Sequence, residues 1–353
     1  MGLGCWTFDV LHPILSPFQI RPHAESDMLW LLLIPAILLL VLATFWLVGE
    51  RGHLMLPSTR RAITRRWAGG GSSKGTGGER GSVLTALHGY VYGRWCFQYI
   101  DFCINTLFPR VTSRRFKRWW ADHYHGKALT TELACEIVKL DHDIKRTDLE
   151  QIIPYPTARD IVLKGSPNIV LFECPCRHAR ENPCQPTDVC MVVSDGSFTL
   201  EHHPERSRRV TQNEALALLQ AEHERGHVHT AYFKDACDNK LYAICNCCSC
   251  CCGGLEAMVT HGVPMVAASG YVAEVDEGAC IACGDCEEAC PFGAISVNGT
   301  SSVDWVKCMG CGVCVGQCDT EGISLVRDEG KGVPLDVREI GVTEAGVSVN
   351  SGP

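Results

Sequence analysis

Two runs of the sequence share one spacing. From Cys280 the chain reads CIACGDCEEACP, and from Cys308 it reads CMGCGVCVGQCD. Each is C-x2-C-x2-C-x3-C, and a backbone that brings such closely spaced thiols together has to turn between them. The whole chain holds 23 cysteines in 353 residues. Cysteine-rich chains are either disulfide scaffolds of oxidising compartments or metal binders of reducing ones. Many of the cysteines here lie in C-x-C and C-x-x-C spacings. Neighbours that close rarely reach the roughly 5.5–6 Å Cα separation of an unstrained disulfide. The odd count also leaves one thiol over, so metal ligation is the expectation.

The doubled motif resembles the bacterial-type ferredoxin domain with two [4Fe–4S] clusters, over residues 271–328. In that family the fourth cysteine of each run ligates the other cluster. The resemblance therefore implies one cluster on Cys280, Cys283, Cys286 and Cys318. It implies a second on Cys308, Cys311, Cys314 and Cys290. The C-x2-C-x2-C turn would wrap one cube, and Ala282, Gly284, Gly310 and Gly312 would let backbone amides approach the sulfurs. Pro291 follows Cys290, as the family motif has it; Asp319 follows Cys318 where the family usually has proline. Residues 279–330 carry 8 Asp+Glu against 2 Lys+Arg. Acidic groups disfavour the added electron and favour cationic partners, which points to a low-potential carrier.

Ten further cysteines lie upstream in two clusters. One is Cys174, Cys176, Cys184 and Cys190. The other is the run CNCCSCCCGG, with Cys245, Cys247, Cys248, Cys250, Cys251 and Cys252. Short β-type runs, NIVLF at 168–172 and LYAI at 241–244, lead into each cluster. Along an extended segment, residues i and i+2 point the same way and i and i+1 point oppositely. Adjacent cysteines such as Cys247 and Cys248, or Cys250 and Cys251, are therefore poorly placed for one small cluster unless the chain turns sharply. The run is expected to serve two centres, or one large centre wrapped by a loop. Zinc and iron–sulfur are both thiolate chemistries, and the tail favours iron. Cys251-Cys252-Gly253 also resembles the CCG motif of heterodisulfide-reductase-type proteins, which bind non-cubane clusters; this chain shows one copy. Capping boxes at Thr147–Glu150 and Thr211–Glu214 predict helix starts.

The N-terminal third reads differently. Residues 28–48 (MLWLLLIPAILLLVLATFWLV) carry no charge, and at 1.5 Å per residue would span about 31 Å. Residues 51–120 hold 13 Lys+Arg and 2 Asp+Glu, within a net charge of −8 for the chain. By the positive-inside rule this predicts an uncleaved anchor in the cell (inner) membrane, with the C-terminal body facing the cytoplasm. The apolar segment 83–108, which includes Cys96 and Cys103 as buried apolar residues, and the basic RVTSRRFKRWW at 110–120 are expected to lie on the membrane surface or on the body.

The predicted architecture is α+β. It comprises a leader (1–27), a single N-terminal transmembrane helix (28–48), a basic and Gly/Ser-rich linker (49–82) and an amphipathic membrane-proximal helical segment (83–120). An α/β Cys-rich metal-binding domain (129–270), the ferredoxin-like domain (271–328) and a polar tail (329–353) follow. There is no GxGxxG, Walker lysine loop or C-x-x-C-H, so neither a nucleotide nor a haem site is expected, and nothing indicates nucleic acid. The leading expectation is a membrane-anchored iron–sulfur electron-transfer protein. It would carry two [4Fe–4S] clusters in the tail and one or two further clusters in the middle. Its partners would be redox proteins such as flavoproteins or membrane oxidoreductase subunits. A second expectation is an iron–sulfur reductase whose middle domain holds an unusual catalytic cluster, with Arg177 as an anion site and His178, His227, His229 and His261 nearby. A third is a Cys-rich metal sensor or storage domain fused to a ferredoxin.

Overall fold

The computed structural model describes residues 24–68, 83–141, 144–146, 152–154, 161–163, 169–193, 196–237 and 240–342. The expected capping box at 147–150, most of the leader and of the Gly/Ser linker, and the end of the polar tail lie outside them. The chain divides into residues 1–54 and residues 55–353.

In the first unit, the helix Ala24–Gly49 contains Pro35 and exposes Ile34, Leu38, Leu42 and Phe45. Trp46 Nε1 donates to the Leu54 carbonyl at 2.7 Å. Among the described residues no helix is long and apolar enough to cross a membrane. The expected transmembrane helix, and the inner-membrane, cytoplasm-facing location that rested on it, are corrected accordingly.

Among its described residues the second unit mixes helices with thirteen strands. They are β1 (Tyr124–Leu129), β2 (Ile144–Arg146), β3 (Ile161–Leu163), β4 (Val170–Phe172), β5 (Cys190–Val192), β6 (Ser207–Arg209) and β7 (Val228–Lys234). Then follow β8 (Lys240–Cys247), β9 (Val266–Ala267), β10 (Tyr271–Val275), β11 (Ile295–Asn298), β12 (Thr300–Val303) and β13 (Ile323–Arg327). A seven-stranded sheet runs β6-β4-β5-β8-β7-β1-β9. Its neighbours are antiparallel except β1 and β9, which are parallel. Three two-stranded ribbons pair β2 with β3, β10 with β13 and β11 with β12.

Every residue of β7 is buried, which marks it as a central strand covered on both faces. The helices Thr131–Lys139 and Gln212–Glu224 pack on it and on each other. The second opens on a full capping box: Thr211 and Glu214 satisfy each other's backbone amides. The basic stretch expected to be a linker forms the helix Pro57–Ala68, whose start docks on Glu201 and His202. The segment after residue 83 packs on the body: Cys96, Ile100, Cys103, Ile104 and Phe108 are buried. One buried core continues from Cys103 through the sheet into the tail, to Val337.

Candidate metal centres

The two halves of the tail build their sites alike. The helices Asp285–Ala289 and Val313–Gly316 each start from a left-handed glycine, Gly284 (φ 97°) and Gly312 (φ 83°). Two residues earlier, Ala282 (φ 55°) and Gly310 (φ 61°) are left-handed as well. A Cβ on Gly310 would stand 2.1 Å from the Tyr271 carbonyl oxygen. The small residues inside each motif are thus required by the turn itself, because a side chain strains this backbone or collides.

These turns leave two cavities. Cys290, Cys308, Cys311 and Cys314 line one; Cys280, Cys283, Cys286 and Cys318 line the other. They enclose about 320 and 300 Å³ of non-atom space, part of it open to solvent. The sulfurs are met by donors rather than by each other. The amides of Ala273, Ala294 and Ser301 donate to Cys308 (3.5 Å), Cys290 (3.3 Å) and Cys280 (3.4 Å). The Ser301 hydroxyl lies 3.2 Å from Cys286, and that of Thr320 3.5 Å from Cys318. Four convergent thiols around an open space, with amides aimed at the sulfurs, fit a thiolate-ligated cubane. The Ser301 amide, then the Ala282 amide, hold the Cys280 thiol down to about 7. Burial pushes Cys311 up to about 12. Cys283 is exposed while Cys308 and Cys314 are buried, so one site lies nearer the surface than the other.

The ten middle cysteines are drawn together by the central sheet. Cys190 opens β5 opposite Phe172 of β4, and β5 pairs with β8, which carries Cys245 and Cys247. These two point one way and Asn246 the other; Asn246 bonds the Val189 carbonyl (2.7 Å) and His229 (2.6 Å). The strand ends at Cys247, and two groups of thiols result. Cys184, Cys248, Cys250 and Cys251 have all four sulfurs within 4.8 Å of one another. The other six form a chain. Cys190 lies 3.9 Å from Cys245, and Cys174 is within hydrogen-bond reach of Cys176 and Cys190. Cys252 is within reach of Cys176 and Cys247.

Within that chain, bonds from Cys176 and then Cys190 hold Cys174 well below an ordinary thiol. Bonds from Cys176 and then Cys247 do the same for Cys252. Both occupy N-cap positions, where the helix end favours a thiolate. The paired glycines after Cys252 have a packing reason. A Cβ on Gly253 would lie 2.4 Å from Ile104, and one on Gly254 2.2 Å from the Tyr232 hydroxyl.

Arg177 is not open to a substrate anion. It is 1% exposed and pairs with the fully buried Glu222 at 3.1 Å. It also donates to the Pro186 carbonyl, and to that of Asn246 at 3.4 Å. Burial pushes Glu222 up, but the bond from His227 and the Arg177 charge prevail and hold it below its ordinary value. The histidines expected nearby are engaged too. His178 pairs with Glu173 at 2.8 Å, His227 with Glu222 at 2.6 Å and His261 with Glu256 at 3.6 Å.

A group that sequence reasoning passed over lies beside the six thiols. The hydroxyl of Tyr92 is 2.8 Å from that of Tyr242, which is 3.2 Å from that of Tyr124. Lys234 is buried against the rings of Tyr92 (5.0 Å) and Tyr124 (4.7 Å), with Asp235 at 3.7 Å. Burial, then neighbouring tyrosines, then Cys245 and Cys176 raise the Tyr124 phenol. These residues are far apart in sequence, so no local spacing announces them.

A family model described as a 4Fe-4S binding domain matches residues 273–296. No curated protein matches the chain. The match covers the first cysteine run, and with the geometry above it defines the chain as a carrier of an iron–sulfur domain with at least one [4Fe–4S] cluster. Taken with the Cys-rich region, it is an iron–sulfur electron-transfer protein.

Proposed function

We propose that the chain is a relay whose tail holds two [4Fe–4S] clusters, on Cys280, Cys283, Cys286 and Cys318, and on Cys308, Cys311, Cys314 and Cys290. The observation that supports this most is the pair of cavities, each lined by one three-cysteine turn and the distal cysteine of the other run. A bound cluster supplies a one-electron carrier at each position. The chain's own residues tune it: amides at Cys280, Cys290 and Cys308 stabilise thiolate charge, and burial around Cys311 opposes it. Electrons enter at the site with the exposed Cys283. There the exposed Asp285, Glu287 and Glu288 favour a redox protein with a cationic face, such as a flavoprotein. Anaerobic iron and sulfide counts with electron paramagnetic resonance test this. About 8 iron should belong to the tail; zinc in the tail sites overturns it.

A second reading is a reductase with an atypical iron–sulfur centre in the middle domain. The observation favouring it is the chain of six thiols, more than the four a cubane uses. A middle-domain paramagnetic signal that changes with substrate supports that reading; an ordinary, unresponsive cubane signal supports the relay.

A further inference from the structure

We infer that Cys184, Cys248, Cys250 and Cys251 form a closed four-thiolate site for a single zinc ion, distinct from the iron–sulfur centres. The four sulfurs lie within 4.8 Å of one another. Cys184 is 3.3 Å from Cys248 and 3.8 Å from Cys251, which is 3.3 Å from Cys250. Four sulfurs at about 2.3 Å from one zinc stand about 3.8 Å apart. In a cubane each thiolate binds a different iron, which sets the sulfurs farther apart and demands space between them. The tail shows that second arrangement, with sulfurs around cavities and donors from amides and hydroxyls. This group shows the first.

The surroundings fit a structural ion. Four thiolates on a divalent ion leave an excess of negative charge and no open position for a substrate. The guanidinium of buried Arg177 lies close enough to Cys248 and Cys184 to act on their charge, and Arg180 donates to the Cys251 carbonyl at 3.2 Å. Cys184 belongs to the loop between Cys176 and β5; the other three belong to the loop after β8. One ion would therefore clamp the two loops that carry the six-thiol chain. Zinc also explains why the run contains more cysteines than one cluster needs.

The inference goes beyond the relay reading, and the two have separate readouts: iron and sulfide report on the relay, zinc on the clamp. The test is metal analysis and zinc X-ray absorption on the full chain purified anaerobically. The expected result is one zinc per chain with four sulfurs at about 2.3 Å. Zinc should be lost in Cys250→Ser, whose side chain is exposed, with iron and sulfide kept. The absorption spectrum needs no variant, so it stands if Cys250→Ser fails to fold. A wild-type chain without zinc, or with zinc bound by fewer than four sulfurs, overturns the inference. So does a Cys250→Ser variant that keeps its zinc and loses iron and sulfide.

Discussion

In the tail, four thiols surround each of two cavities, and their sulfurs are met by amides and hydroxyls. In the middle domain, ten thiols stand against one another, in one group of four and one chain of six. The tail positions three cysteines of each site by local turns built on left-handed residues, and only the fourth comes from the other run. The middle domain positions its cysteines by long-range strand pairing, so its centres exist only when the sheet does. Thiol spacing along the chain therefore identifies the first kind of site, and sheet register determines the second.

The largest effect expected concerns which cysteines act together. Cys290→Ala should lose about four irons, and the same spectral component as Cys311→Ala, although Cys290 belongs to the first run. Cys318→Ala should instead match Cys283→Ala. If Cys290→Ala matches Cys283→Ala, each run serves its own cluster and the assignment fails.

Next is the dependence of the middle centres on a buried ion pair. Glu222→Ala leaves Arg177 charged and unpaired beside Cys184 and Cys248, and should cost about 3–5 kcal/mol in chemical denaturation. Variants of exposed tail carboxylates such as Glu288→Ala should stay within about 0.5 kcal/mol. Equal losses would erase the contrast between the regions.

Acid should also act on the sheet and spare the tail. Burial lowers His125, His203 and His229 to about 4 each, and residues 271–342 contain no histidine. Between the unfolded value of about 6.5 and the folded value of about 4, the unfolded chain binds the extra protons. Stability is thus fully present above pH of about 6.5 and falls toward pH of about 4, by roughly 3 kcal/mol per histidine. Denaturation midpoints across that range measure the slope, and His229→Gln should flatten it. A slope unchanged in that variant removes His229 from the account.

The smallest effect is in the tail. Glu321 has φ 53°, where the first half has Gly293 at φ 57°. Glu321→Gly should stabilise by about 0.5–1 kcal/mol by relieving a left-handed side chain. A loss of stability would mean the glutamate side chain contributes more than its backbone costs.

The sequence carried some of this plainly. Both tail motifs and the Thr211–Glu214 capping box are local patterns, and local backbone geometry realises them. Side-chain alternation separated Cys247 from Cys248, but it failed for Cys250 and Cys251, whose sulfurs lie 3.3 Å apart in one group because the strand ends at Cys247 and the chain turns beyond it. It could not place Cys252 with Cys176, nor Cys184 with Cys248, since those pairings depend on β4, β5 and β8 meeting. Arg177 read as a free cation because nothing near it in sequence announces Glu222, 45 positions away. The anchor expectation rested on an uncharged run and the cations that follow it, and among the described residues no helix is long and apolar enough to cross a membrane.

The most direct test of the tail assignment is electron paramagnetic resonance of the reduced, anaerobically purified full chain, double-integrated within the [4Fe–4S] component. The account predicts two interacting spins per chain, and a single uncoupled spin in either Cys290→Ala or Cys318→Ala. One spin in the wild-type tail, or a coupled signal that survives both substitutions, would contradict it.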